Sequence, residues 1–195
     1  MKYCLSLLLC LLLTLSWAQK EDVVLQNYAK QISTVQTLQS SFVEEKHLSL
    51  LSQPLQSAGT LAFDKSKQKL RWQYQKPFEN GFLIEKEKVY RLQGLTKKPV
   101  DSAMGRLFMA EMLVWLTLDF DSLQKNYSIT VTGSEITFVP YHKEHKVVKK
   151  ITVWLDSKDP RVVTQVKMEE PSGDFILWKF TNTQLNPSLA DEVFQ

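Results

Sequence analysis

The sequence predicts an α+β chain that is mostly β, with roughly ten antiparallel strands in a meander, one amphipathic helix ahead of them and one apolar helix set among them. Three observations carry this. Val24, Tyr28, Ile32 and Val35 recur at three- and four-residue spacings within residues 21–38, the period of a helix with one greasy face. The period then changes to two, as where Leu70, Trp72 and Tyr74 alternate with Arg71 and Gln73, which marks a half-buried strand. Between Met104 and Leu118, eleven of fifteen residues are apolar, in a chain that otherwise alternates.

Taken in order, residues 1–18 begin with Lys2, continue through a leucine-rich run and end in Ser16, Trp17 and Ala18. That is the pattern of a secretory signal peptide cut after Ala18, leaving one domain over residues 19–195. Cys10 lies mid-run between Leu9 and Leu11, without the small residues that acylation at a cysteine favours. Both cysteines, Cys4 and Cys10, leave with the signal, so an exported chain without disulfides is expected. Removing Lys2 lowers the formal charge of +3 to about +2, too near neutral to attract a polyanion such as nucleic acid.

The helix over residues 21–38 should lie on something flat. Residues 59–64, 69–75, 81–85 and 88–92 read as strands, followed by a loop with Gly94 and Pro99. Asp101 or Ser102 is placed to cap the apolar helix that comes next. Beyond it, Tyr127, Ile129 and Val131 alternate with hydroxyl residues, and Gly133 turns the chain back into residues 136–138. Residues 146–156, 161–169 and 174–181 continue the meander, with turns at 157–160 and 171–173.

The segment 104–118 would be about 22 Å long as a helix, too short for a hydrocarbon layer of about 30 Å. One side can pack on the sheet, whereas the other must meet more core, a partner or an apolar ligand. A large antiparallel sheet with a greasy face must close, sandwich or be covered. Two helices do not fill ten strands, so a cavity and a close-packed core are both open outcomes.

Catalytic constellations are missing. No thiol remains after processing, and there is no G-x-S-x-G elbow, H-E-x-x-H helix or glycine-rich phosphate loop. His142 and His145 flank Glu144, but they stand among Lys143, Lys146, Lys149 and Lys150, which oppose a cation. His47 with Glu45 on one strand face is a common surface arrangement. The expectation is a protein that is not an enzyme and holds no metal or cofactor.

Gly59, Thr60 and Leu61, then the run Leu70 to Tyr74, then Lys76, Pro77 and Phe78 resemble the LolA family of periplasmic outer-membrane lipoprotein carriers. Residues 38–46 resemble that family's first strand. Residues 170–174, with Phe180, Asn186, Pro187 and Phe194, resemble its last strand and tail. The resemblance implies an incomplete antiparallel β-barrel of about ten or eleven strands, its concave face covered by helices. It further implies a periplasmic monomer that shuttles the acyl chains of lipoproteins from an inner-membrane release complex to an outer-membrane acceptor.

Two departures set this chain apart. The family's second strand is commonly followed by an Arg-Pro pair whose arginine latches the helical lid; Lys65 and Ser66 stand here instead, and a lysine latches less well. Residues 112–123 look closer to divergent LolA-like proteins, some linked to other lipids. A carrier of another lipid or glycolipid, or a sensing module without transport, therefore stays open.

The candidate lipid-binding set has two parts. Phe42, Leu61, Phe63, Leu70, Trp72 and Tyr74 would form the sheet wall, although aromatic residues on a strand face also serve as plain core. Met104, Phe108, Met109, Met112, Leu113, Trp115 and Leu116 would form the lid, where flexible methionines adapt to irregular apolar partners. Lys65 is the candidate lid latch, and Arg71, on the opposite strand face, is expected to be solvated or locally paired.

Overall fold

The computed structural model describes residues 25–86, 88–94, 96–100, 120–141 and 148–195. The expected export segment 1–18, the apolar segment 104–118, His142 and His145 lie outside them. Helix α1 occupies residues 25–32. The strands are β1 (Thr37–His47), β2 (Leu55–Asp64), β3 (Lys69–Lys76), β4 (Asn80–Glu85), β5 (Lys88–Gln93), β6 (Thr96–Pro99), β7 (Tyr127–Thr132), β8 (Glu135–Pro140), β9 (Lys150–Leu155), β10 (Val163–Glu169) and β11 (Phe175–Leu185). Helix α2 (Phe120–Leu123) precedes β7, and a 3-10 turn spans Asp191–Phe194. No helix among the described residues is long and apolar enough to cross a membrane.

All eleven strands join one antiparallel sheet, in the order β6-β5-β4-β3-β2-β1-β11-β10-β9-β8-β7. Two local meanders, β1–β6 and β7–β11, are zipped together by β1 and β11, whose register runs from Leu38 opposite Leu185 to His47 opposite Phe175. The end strands β6 and β7 each pair on one side only, so the sheet is not closed.

Register places the large apolar residues on one face. Phe42 opposes both Gly59 and Phe180, and Leu61 opposes Trp72, which opposes Phe82. On the other side Trp178 opposes Val166, then Val153, then Ile136. Gly59 is where the aromatic side chains crowd the backbone. A Cβ there would stand 2.0 Å from the Gln73 carbonyl oxygen and 2.8 Å from Phe42 Cζ, so only glycine fits this bulged stretch.

Two clusters share that face. Leu25 and Ile32 of α1, with Phe120 and Leu123 of α2, pack on Ile136, Phe138, Ile151, Val153 and Leu155. Phe42, Leu61, Leu70, Trp72, Ile84, Val89 and Trp178 form the second. On the opposite face Ala62, Leu83 and Leu92 bury Phe194 of the C-terminal tail. There Arg71 donates to the Val193 carbonyl at 3.2 Å and to the Gln195 carbonyl, so this arginine pins the tail.

Several expected boundaries shift. The first helix was expected through Leu38, but it stops at residue 32: Ser33 and Thr34 bond back to the Lys30 and Gln31 carbonyls, and Thr37 and Leu38 already pair with β2 and β11. Long-range pairing here outweighs helical periodicity. The expected loop at Gly94 and Pro99 contains the edge strand β6, whose four residues are all exposed. Its polar run carries no alternation to read, as suits a blunted edge. β2 begins at Leu55, ahead of the expected Gly59, and β11 continues to Leu185 rather than ending at residue 181.

Candidate functional site

The face shared by β1–β4 and β11 carries a pocket of about 380 Å³. Its deep wall is Leu70, Trp72, Phe82, Ile84, Ile176 and Trp178; toward the strand ends it meets Glu44, Lys46, Ser57, Tyr74, Lys76, Pro77 and Asn80. The volume lies at the lower end of ligand pockets, roughly 300–1,000 Å³.

Aromatic rings give the wall its rigidity. Trp72 lies 4.3 Å from Phe42 between ring centres and meets Trp178 and Phe180 edge-on at 6.4 and 6.2 Å. Tyr74 meets Phe42 edge-on at 5.3 Å. Such pairs contribute about 0.5–1.5 kcal/mol each beyond the area they bury. The Trp72 indole N–H is buried and, among the described residues, lacks a hydrogen-bond acceptor.

Glu44 organises the polar end. Its side chain is 2% exposed. One carboxylate oxygen accepts from the Tyr74 hydroxyl at 2.6 Å and from the Trp178 indole N–H at 2.7 Å; the other faces the Lys46 amine at 3.3 Å. A buried charge is tolerated when its lone pairs are filled in this way. Burial, followed by the Glu44 charge and its hydrogen bond, pushes the Tyr74 phenol well above its ordinary value of 10.0, so Tyr74 stays a donor.

The residues expected to form the wall are placed as follows. Phe42, Leu61, Leu70 and Trp72 are buried in one cluster, and Phe63 and Tyr74 pack against it half-buried. Leu70, Trp72 and Tyr74 line the pocket directly. Leu61 lines a smaller cavity of about 30 Å³ beside Ile32, Leu38 and Phe180, Phe42 stands behind Trp72, and Phe63 lines neither. Met104, Phe108, Met109, Met112, Leu113, Trp115 and Leu116 fall outside the described residues.

Lys65, the latch candidate, is exposed at the β2–β3 turn, where its amide donates to the Gln36 carbonyl at 2.8 Å. Ser66 and Lys67 hold that turn: the Ser66 hydroxyl donates to Asp64 at 2.7 Å, and Lys67 reaches Asp191 of the tail at 2.7 Å.

The wall also has members that sequence reading missed. Ile176, Trp178 and Phe180 alternate on β11 and carried a readable signal. Glu44 lies two residues beyond Phe42 on β1, so alternation puts it on the wall face, but an acid there reads as a solvent-facing position.

Comparisons with known proteins agree with this architecture. The family described as "Outer membrane lipoprotein carrier protein LolA" matches residues 33–195. No curated protein matches the chain. Among solved structures, the Pseudomonas aeruginosa MucA/MucB complex is similar at a TM-score of 0.54 and 14% identity, over 88% of this chain and 59% of that one. MucB alone gives 0.52 and 13%, over 91% and 62%. The Mycobacterium tuberculosis lipoprotein LppX gives 0.50 and 10%, over 87% and 98%. This chain thus spans about three fifths of the MucB chain it matches, and at these identities the likeness is one of fold. The family match covers most of the chain and the open sheet agrees with it: the protein belongs to the LolA family of outer membrane lipoprotein carrier proteins.

Proposed function

We propose that this protein is a periplasmic carrier that shields acyl chains of lipoproteins in the pocket over β1–β4 and β11 and moves them from the inner to the outer membrane. The apolar pocket with one polar end is the observation that carries the reading. At about 30 Å³ per methylene, close to the share of a water in the liquid, its volume of about 380 Å³ takes on the order of a dozen methylenes. Each is disfavoured in water by about 0.8 kcal/mol, so sequestering one chain already yields several kcal/mol. A multiply acylated cargo needs further apolar surface, which the segment 104–118 would supply as a lid over a curved, incomplete barrel. Export through the segment 1–18 and delivery between an inner-membrane release complex and an outer-membrane acceptor complete the proposal.

Organic extraction of the purified protein, followed by mass spectrometry, should yield stoichiometric acylated lipid. The protein should also take up a fluorescent fatty-acyl probe, and Met112→Glu should abolish that uptake with strand content unchanged. Absence of lipid together with absence of uptake overturns the reading.

The likeness to MucB, solved in complex with MucA, favours one alternative: a binding module that senses a lipid or glycolipid and answers to a protein partner. Rescue of a strain depleted of its lipoprotein carrier favours transport. Stable co-purification with one envelope protein favours the module.

A further inference from the structure

Six of the seven large apolar side chains that stand exposed among the described residues gather at one end of the sheet: Leu50, Leu51, Leu55, Phe78, Val139 and Tyr141, with only Val43 elsewhere. Antiparallel register brings them together. β1 ends and β2 begins at this end, as do the β3–β4 turn and the exit of β8, through the pairs His47 with Phe175, Glu169 with Phe175 and Glu169 with Lys150. Leu50 is 95% exposed and Phe78 is 76% exposed, so both stand almost free of the protein, on separate turns. The polar end of the pocket, at Lys46, Lys76, Pro77 and Asn80, lies between those turns.

We infer that this end of the sheet docks on a lipid bilayer, with Leu50, Leu51, Leu55 and Phe78 entering the boundary between headgroups and acyl chains. Three leucines at the β1–β2 connection and one phenylalanine on the β3–β4 turn form two separate apolar projections, which suit a fluid, deformable phase. A protein partner would need a contiguous, complementary patch.

The charges agree. Glu44 is engaged by Tyr74, Trp178 and Lys46. Glu169 is held by Lys150 and Lys167, and Asp174 accepts the Ser49 amide at 2.7 Å. Glu79 is an exposed acid of the β3–β4 turn close in sequence to the exposed Lys76, Lys149 stands exposed ahead of β9, and Glu170 is half-buried in the β10–β11 turn. With Glu169 paired to two lysines and Asp174 holding the Ser49 amide, the exposed amines of Lys76 and Lys149 are available to a phosphate layer. The pocket would then open toward the bilayer, and an acyl chain would pass between the two with little exposure to water. That last step rests on the lipid-carrier reading above, whereas the docking itself does not.

The test is flotation of the purified protein with vesicles of phosphatidylcholine, alone and with phosphatidylglycerol, alongside uptake of a fluorescent acyl probe in solution. The wild type should float, and the double variant Leu50→Glu, Phe78→Glu should lose vesicle binding by at least about tenfold. Its circular dichroism and probe uptake should be unchanged, since both side chains are exposed. Leu50→Trp should float and show blue-shifted emission on vesicles. A wild type that does not float, or a double variant that floats equally well, overturns the docking surface. So does photocrosslinking from position 50 that captures protein and no lipid. Flotation with failed probe uptake supports the docking surface while overturning the pocket reading.

Discussion

The two halves of the apolar face begin from the same pattern and end differently. Over β8–β10 the alternating Ile136, Phe138, Ile151 and Val153 are covered by α1 and α2, with Ile136, Phe138 and Val153 at 0% exposure. Over β1–β4 and β11 the alternating residues are larger and more aromatic, and they leave a pocket with a buried carboxylate at its end. Apolar alternation thus specifies a face, and what packs against that face decides whether it becomes closed core or the lining of a pocket. The covered half gains close packing. Among the described residues, the pocketed half is packed less closely.

The largest effect that would sharpen this contrast is Phe138→Ala, expected to cost about 3–5 kcal/mol in the close-packed half. The matching change Phe82→Ala should cost only about 1–2 kcal/mol, because its side chain already borders empty volume. Urea denaturation of both variants checks this; equal losses would mean that the pocketed half is packed as tightly as the other.

Next comes Glu44→Ala, which leaves the Tyr74 hydroxyl and the Trp178 N–H without their acceptor at a cost of about 2–3 kcal/mol. Glu44→Gln keeps an acceptor oxygen and should lose less than half as much. A thermal shift smaller for the alanine variant than for the glutamine one would refute the organising role of this carboxylate.

A smaller effect is expected at Asp64. Burial pushes its carboxyl up, but the Ser66 hydroxyl, the Lys67 amide and the Lys67 charge outweigh this and hold it below its ordinary 3.8. A lowered folded-state value stabilises the fold above the unfolded value, and the contribution disappears as pH falls through the lower folded one. The midpoint of thermal unfolding should therefore drop below about pH 4 by a few degrees, and Asp64→Asn should flatten that step. Tyr74 has the opposite sign. Its raised value adds stability that is complete below pH 10.0 and declines as pH rises above it, a decline that Tyr74→Phe should remove.

The smallest effect belongs to the tail. Lys67 bridges the buried Asp64 and the exposed Asp191, and Lys67→Met should lower the midpoint of the same denaturation less than any change above.

Much of the fold was legible because two periods dominate it. Alternation located β3, β4, β5, β7 and β8 to within about two residues, and the three-to-four spacing located α1. Less was legible where pairing, not patterning, makes the strand: β6 is four exposed residues on an edge, and the start of β1 takes residues that also fit a helix. The wall residues Leu70, Trp72 and Tyr74 could be read from alternation together with the family resemblance. Their partners Ile176 and Trp178 lie more than a hundred residues away, and nothing local in the sequence brings them together.

The sequence by itself determined which residues are apolar and on which strand face each one falls, because side-chain direction along a strand is fixed by a period of two. Only the tertiary structure decided that β1 pairs with β11 and so joins two local meanders into one face. The same pairing turns Glu44 from an apparent surface acid into the buried acceptor of Tyr74 and Trp178. Hydrogen-bond partners across 30 and 134 residues follow from register, and register between distant strands is set by the packing of the whole face rather than by any local run of the chain.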